Sequence, residues 1–293
     1  MTSVPPPNDP IVSSRAGSNY MPLRKDPSRL LLAVVDLAKR AGQQVMSVYD
    51  SDFRVGTKED QSPLTAADLA SHHCLVEGLE ALEGRSYPVV SEESSQQAWE
   101  ERRGFETYWL IDPLDGTREF IKRNGEFTVN VALIHQNQPV LGVVYAPAKA
   151  LCYFAAEGCG AYRQTGEDAP AMIHVTAHAA ARVRVVGSRS HQSDEMAVYL
   201  SRLGEHDLLA IGSSLKLCLV ADGSADLYPR IGPTSEWDTA AAHAVVQEAG
   251  GKVTDLQGQP LRYNTKASLL NPYFLVFGDK SRAWWESAHG IHG

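Results

Sequence analysis

The stretch Tyr108-Trp109-Leu110-Ile111-Asp112-Pro113-Leu114-Asp115-Gly116-Thr117 governs how the rest of the chain is read. The bulky apolar run from Tyr108 to Ile111 predicts a buried strand. Pro113 and Gly116 predict its end, so that Asp112 and Asp115 stand where the chain leaves a sheet. Unpaired buried charges are costly and like charges repel, so two acids held together there need a counter-charge, most simply a metal cation. Hard oxygen ligands favour Mg²⁺. The Gly116-Thr117 turn would then open toward Arg118-Glu119-Phe120-Ile121, and its backbone N–H groups offer a place for a phosphate oxygen beside the metal.

Outward from this motif, more acids stand at the ends of predicted elements. Pro88-Val89-Val90-Ser91 predicts a short strand followed by Glu92-Glu93, and Glu92, nearer the strand, is the candidate ligand. Thr65-Ala66-Ala67-Asp68 has the form of a capping box opening a helix over residues 65–82, so Asp68 either satisfies helix-end donors or faces the metal and orients a water. Asp238 in Glu236-Trp237-Asp238-Thr239-Ala240-Ala241-Ala242 is likewise either an N-cap or a further ligand. The alanine run favours the ligand, because small side chains let a helix start approach a crowded site. Gly187-Ser188-Arg189-Ser190-His191 and Gly212-Ser213-Ser214-Leu215-Lys216 gather polar groups at element ends, as caps or as an anion pocket.

The frame around these sites reads as two intimate halves. Residues 1–26, rich in Pro, Ser and Asn, predict a flexible arm. From Pro27 a helical stripe runs through Leu30, Leu31, Val34, Val35, Ala38, Ala41 and Val45. Residues 127–135, 139–146 and 151–156 predict an antiparallel meander, which makes residues 27–157 an α+β half carrying most of the acids. The run 96–103 reads as a polar, exposed helix or loop. Gly158-Cys159-Gly160 and residues 164–171 predict the boundary. Residues 158–293 then alternate strands at 182–187, 208–211, 225–228 and 274–277 with helices at 191–203, 213–221 and 238–249, an α/β half carrying Asp238.

Composition bounds the partners. The 293 residues carry 27 basic and 35 acidic side chains, a net charge of -8, which argues against a nucleic-acid polymer or an anionic membrane as main partner and leaves a small anion held by a metal and a few local cations. Cys74, Cys152, Cys159 and Cys218 are scattered without a C-x-x-C pair, which predicts neither a zinc site nor a disulfide framework and fits a reducing cytoplasm. No apolar run approaches a membrane span, and the first 30 residues lack the apolar segment of a signal peptide.

The motif set resembles that of the inositol monophosphatase and fructose-1,6-bisphosphatase superfamily, through Asp112-Pro113-Leu114-Asp115-Gly116-Thr117, Ser91-Glu92-Glu93 and Trp237-Asp238-Thr239-Ala240-Ala241. Ser62-Pro63-Leu64-Thr65-Ala66-Ala67-Asp68, the run from Arg118 to Asn130, and Gly212-Ser213-Ser214-Leu215-Lys216 resemble its bacterial 3'(2'),5'-bisphosphate nucleotidases. The resemblance implies a layered αβαβα sandwich with the active site between the halves. It implies that Glu92, Asp112, the Leu114 carbonyl, Asp115 and Asp238 bind two or three Mg²⁺ ions, that Asp68 and Thr117 position and deprotonate the attacking water, and that Gly116 and Thr117 meet the substrate beside the ligands. His191, Ser213, Lys216 and Arg230 would hold the nucleotide and its second phosphate. The implied reaction converts adenosine 3',5'-bisphosphate to AMP and phosphate in sulfate assimilation, with the sulfated nucleotide as a second substrate and Li⁺ as inhibitor. A monomer or homodimer, with at most peripheral contact with the inner membrane's cytoplasmic face, completes the expectation.

Rival substrates are inositol 1-phosphate and fructose 1,6-bisphosphate, which share the metal motif; Lys216, His191 and Arg230 favour a nucleotide. A haloacid-dehalogenase-like phosphatase would have its acids two apart before Gly-Thr, whereas Asp112 and Asp115 are three apart. A non-catalytic nucleotide sensor would be expected to lack part of the acid set.

Overall fold

In the computed structural model, residues 27–51, 62–82, 87–94, 97–188 and 193–292 are described. The expected arm at 1–26 and candidate residue His191 lie outside them. Helix α1 (Pro27–Tyr49) opens on a proline, whose fixed φ suits a first helical position, and buries Leu31, Val34, Val35, Ala38, Ala41 and Val45 along one stripe. With α2 (Ser62–Glu80) it covers one face of a seven-stranded sheet. That sheet contains β1 (Val89–Ser91), β2 (Thr107–Asp115), β3 (Thr128–His135), β4 (Gln138–Ala146), β5 (Leu151–Ala156), β6 (Gly160–Thr165) and β7 (Ala171–Met172), in chain order from edge to edge. Only the β1–β2 pair is parallel.

A five-stranded mixed sheet follows, made of β8 (Val183–Ser188), β9 (His206–Ile211), β10 (Leu227–Arg230), β11 (Lys252–Asp255) and β12 (Phe274–Phe277), ordered β11-β12-β10-β8-β9. Short helices α3 (Trp99–Arg102) and α4 (Thr117–Ile121) flank β2, and α5 (Asp194–Leu203), α6 (Leu215–Ala221) and α7 (Ala240–Glu248) belong to the second half. Three apolar cores define the layers. One joins α1 and α2 to the first sheet, one packs α6 and α7 between the sheets, and one joins α5 to the far face of the second sheet. The molecule is therefore an αβαβα sandwich.

The layers meet closely because small residues allow it. A side chain at Gly142 in β4 would collide with the backbone carbonyl of Ala241 in α7. α7 thus lies with its backbone against the first sheet, and the Ala240–Ala242 run is what permits that approach.

Several expectations are corrected. The first sheet continues past residue 157: Gly158 and Gly160, both at positive φ, form a hairpin between β5 and β6, and the chain passes to the second sheet between Met172 and Val183. The glycines were turn formers, not a linker. Arg102, in the stretch expected to be exposed, is 2% exposed, with its guanidinium against Asn264 Oδ1 at 2.6 Å and the Ala267 carbonyl. β2 runs through Pro113 to Asp115, so the acids lie in its last residues and Gly116, not Pro113, ends it.

Candidate active site

The proline is tolerated because the ladder is interrupted there. Asp112 faces Asn130 and Asp115 faces Thr128, so three steps on β2 oppose two on β3 and one residue bulges. In a regular strand, residues three apart point to opposite faces. The bulge restores them to one face: Leu110 and Ala132 lie in the core between the sheets, on the side shared by Asn130 and Thr128, whereas Ile111, Leu114 and Val129 lie in the α1/α2 core. Both acids thus point into the seam between the halves.

Two further acids arrive by different routes. β1 runs parallel to β2 with Ser91 opposite Ile111, so Glu92, the next residue, emerges beside Asp112. The two carboxyl groups are within hydrogen-bonding reach. Asp238 precedes α7, which the Gly142 contact holds against the first sheet. Carboxylate oxygens of Asp112, Asp115 and Asp238 lie within 4.8 Å of one another. Asp68 is 8% exposed and projects from α2 toward Glu92 and Glu93, with a side-chain hydrogen bond to Glu93.

Neither suspected cap is one. α2 starts at Ser62, which places Thr65 and Asp68 inside the helix. α7 starts at Ala240 with Thr239 as its N-cap residue, while Asp238 Oδ2 accepts from the Ser235 N–H at 2.9 Å.

The electrostatics follow from crowding like charges out of water. Burial, then Glu93 and Glu92, pushes Asp68 up to about 8. Burial and Asp115 push both Glu92 and Asp238 up to about 7. Asp112 is held well above the usual carboxylate range by burial and by Asp115, Glu92, Asp238 and Asp68. Asp115 is also raised by burial, although Lys216 and the Ser214 N–H favour its charged form. Asp112 Oδ1 accepts from the Leu114 N–H at 3.0 Å, but Asp112 Oδ2 and Asp68 Oδ1 are buried without a hydrogen-bond partner. A divalent cation would both fill orphaned oxygen lone pairs and remove the repulsion, so these residues fit one.

A cavity of about 220 Å³ leads from this cluster into the second half, lined by Asp115, Gly116, Thr117, Arg118, Ser213, Lys216, Tyr228, Arg230 and Asp238, among others. Gly116 sits at φ 91°, and a side chain there would press on the Glu126 carbonyl at 3.0 Å, which is why a glycine turns the chain into α4. Lys216 is not one helical turn from Ser213 within a helix, as its spacing suggested: α6 starts at Leu215, Ser213 sits at φ 50° before it, and the Lys216 ammonium bonds back to the Ser213 carbonyl. Burial lowers Lys216 to about 8. Arg230 Nη2 donates to the Pro233 carbonyl at 2.6 Å, and its Nε is buried without a partner.

Of the residues singled out from sequence, the site brings together Asp68, Glu92, Asp112, Leu114, Asp115, Gly116, Thr117, Ser213, Lys216, Arg230 and Asp238. Thr128 and Asn130 were missed, and Ser214 had been read only as part of the polar run from Gly212 to Lys216. Ser214 donates its N–H to Asp115 Oδ2 at 2.6 Å and its hydroxyl to Asn130 Oδ1 at 2.8 Å, and Thr128 Oγ1 lies 2.8 Å from the Ser214 hydroxyl. The available signal was two polar residues, Thr128 and Asn130, on one face of an otherwise apolar strand.

Comparisons with known proteins agree with this architecture. The sequence model of the inositol monophosphatase family matches residues 26–283. The chain is 52% identical over 249 residues to the 3'(2'),5'-bisphosphate nucleotidase CysQ of Salmonella typhimurium, spanning 84% of this chain and 99% of that one. It is 51% identical over 249 residues to the Escherichia coli K12 protein of the same name, with the same coverage of 84% and 99%. The crystal structure of CysQ from Bacteroides thetaiotaomicron, a bacterial member of the inositol monophosphatase family, matches with a TM-score of 0.77 at 41% identity, covering 86% of this chain and 98% of that chain.

Proposed function

The chain belongs to the inositol monophosphatase family, and we propose that it is a Mg²⁺-dependent 3'(2'),5'-bisphosphate nucleotidase. It would release the 3'-phosphate of adenosine 3',5'-bisphosphate, giving AMP, with the sulfated nucleotide as a second substrate. One observation carries this choice of substrate. A single cavity has acids suited to divalent cations at one end, Asp115 and Asp238, and two cations at the other, the buried Lys216 and the half-buried Arg230. A substrate with two phosphates matches both ends, since basic side chains hold phosphate by charge-assisted hydrogen bonds. Inositol 1-phosphate would leave the basic end without a partner.

Glu92, Asp112, the Leu114 carbonyl, Asp115 and Asp238 would hold two or three Mg²⁺ ions. Bound there, the ions would lower the pKa of water and neutralise charge on the transferring phosphoryl group. Asp68 and Thr117 orient the attacking water. Asp68, buried beside Glu92 and Glu93, would accept its proton once bound cations offset the acidic neighbours that hold it protonated. Lys216 and Arg230 leave their carbonyl partners to hold the second phosphate, and Ser213 contributes its hydroxyl beside them.

Phosphate release from adenosine 3',5'-bisphosphate, inositol 1-phosphate and fructose 1,6-bisphosphate, at equal concentration with and without Mg²⁺, tests the assignment. The adenosine bisphosphate is expected to be hydrolysed fastest, and only with the metal. Faster turnover of inositol 1-phosphate would sink it.

A further inference from the structure

We propose that Ser214 is a positioning residue that couples the two ends of the cavity, so that divalent cations and the nucleotide bind cooperatively. The inference rests on the nucleotidase assignment for the nature of the second ligand. Its structural basis is a buried joint between the halves. Ser214 leads into α6, where its carbonyl accepts from the Leu217 and Cys218 N–H groups, yet its own N–H and hydroxyl reach the first sheet. Its N–H donates to Asp115 Oδ2 at 2.6 Å, its hydroxyl donates to Asn130 Oδ1 at 2.8 Å, and Thr128 Oγ1 is 2.8 Å away. Thr128 in turn reaches Asp115 Oδ2 at 3.4 Å. Thr128 is 0% exposed, Asn130 1% and Ser214 2%, so water does not compete for these bonds.

The two neighbours of this joint face different ligands. Asp115 stands in the acid cluster. On the other side, Ser213 precedes Ser214 directly, and the Lys216 ammonium bonds to the Ser213 carbonyl. Ser213 is held at φ 50°, a conformation uncommon for a residue with a side chain, so the segment has little freedom to adjust locally. A displacement of Asp115 toward a cation is therefore carried by Ser214 to Ser213 and Lys216. By reciprocity, a nucleotide phosphate that fixes Lys216 fixes Asp115 for the metal, because coupling between two binding sites acts equally in both directions.

The test is a set of binding titrations that avoid turnover. Mg²⁺ affinity is measured by calorimetry with and without AMP, and AMP affinity with and without Mg²⁺, on the wild type and on Ser214→Ala, Thr128→Val and Thr128→Ser. In the wild type each ligand should tighten the other by about 5-fold or more, the lower end of typical couplings. Ser214→Ala and Thr128→Val should bring that factor close to one, and Thr128→Ser, which keeps the hydroxyl, should retain it. A residue that merely supports the fold would lower the unfolding temperature and leave the factor alone. A wild type that hydrolyses the bisphosphate but binds Mg²⁺ equally with and without AMP overturns the coupling. So does an undiminished factor in both Ser214→Ala and Thr128→Val. Failure of the wild type to release phosphate from the bisphosphate counts instead against the nucleotidase assignment.

Discussion

The two walls of the cavity solve opposite problems. On the first-sheet wall, Glu92, Asp112 and Asp115 are fixed by backbone pairing at the ends of β1 and β2, and with Asp238 they bring like charges together. On the second-half wall, Lys216 and Arg230 each lean on a nearby carbonyl, Ser213 O and Pro233 O, and Arg230 Nε is left without a partner. The acidic wall is rigid and under electrostatic stress without a cation. The basic wall has neutral carbonyl bonds to give up when an anion arrives, and an Arg230 Nε donor still to be used. Strain is thus concentrated where chemistry needs preorganisation, and exchangeable bonds lie where recognition needs a reversible grip.

The largest blow to this contrast should come from the acidic wall. Asp115→Asn removes a charge from the centre of the cluster, and kcat at saturating Mg²⁺ should fall by about 10³-fold, corresponding to about 4 kcal/mol of transition-state stabilisation. Turnover near wild type would show that the charge is not needed. The basic wall should yield a smaller and more selective effect. Lys216→Met should lower kcat/KM for adenosine 3',5'-bisphosphate by about 10- to 100-fold, the range expected for losing a charged hydrogen bond. Turnover of a singly phosphorylated substrate should hardly change, and equal losses on both would erase the division of labour between the walls.

The seam between the walls can be probed without replacing any acid or base of the site. Gly142→Ala should push α7 away from β4 and lower stability by about 1–3 kcal/mol, the usual cost of overpacking, read as a lower urea midpoint. An unchanged midpoint would mean that the close approach of Ala241 matters little.

The mildest test is pH. Asp68, Glu92 and Asp238 have folded-state pKa values raised to about 8, 7 and 7 from the ordinary carboxylate values of 3.8, 4.5 and 3.8. Between those limits the folded state holds more protons than the unfolded chain, so stability falls as pH rises. With chelator present, the unfolding temperature should decline from about pH 5 to pH 8, and Mg²⁺ should restore most of the loss at pH 8 by binding the folded state. A metal-free protein equally stable across that window would show that the acids are not in conflict.

Much of the acidic wall was legible in the sequence, because strand ends and Gly-Pro punctuation are local signals. Asp112, Asp115 and Glu92 could be placed from the apolar runs before them. At Asp68 and Asp238 the sequence left a cap and a metal-facing role side by side, because polar residues near a helix start look alike whether they bond to helix N–H groups or face a ligand, and only the three-dimensional start of α2 and α7 separates the cases. The pairing of Ser214 with Thr128 was invisible for a different reason. A hydroxyl that bridges residues 86 positions apart leaves no mark on local periodicity. The burial of Arg102 was hidden likewise, since its partner Asn264 is 162 residues away. The Gly158-Gly160 pair shows the converse error, a strong local turn signal taken for a break between sheets.

The bulge between Asp112 and Asp115 ties the site to a count as well as to chemistry. Because side chains alternate along a strand, the parity of the spacing decides which face a carboxylate sees. A regular ladder at the same three-residue spacing would aim Asp115 at the oily side occupied by Leu114, with both acids still present in the sequence. What the segment has to preserve is therefore the bulge together with its odd spacing.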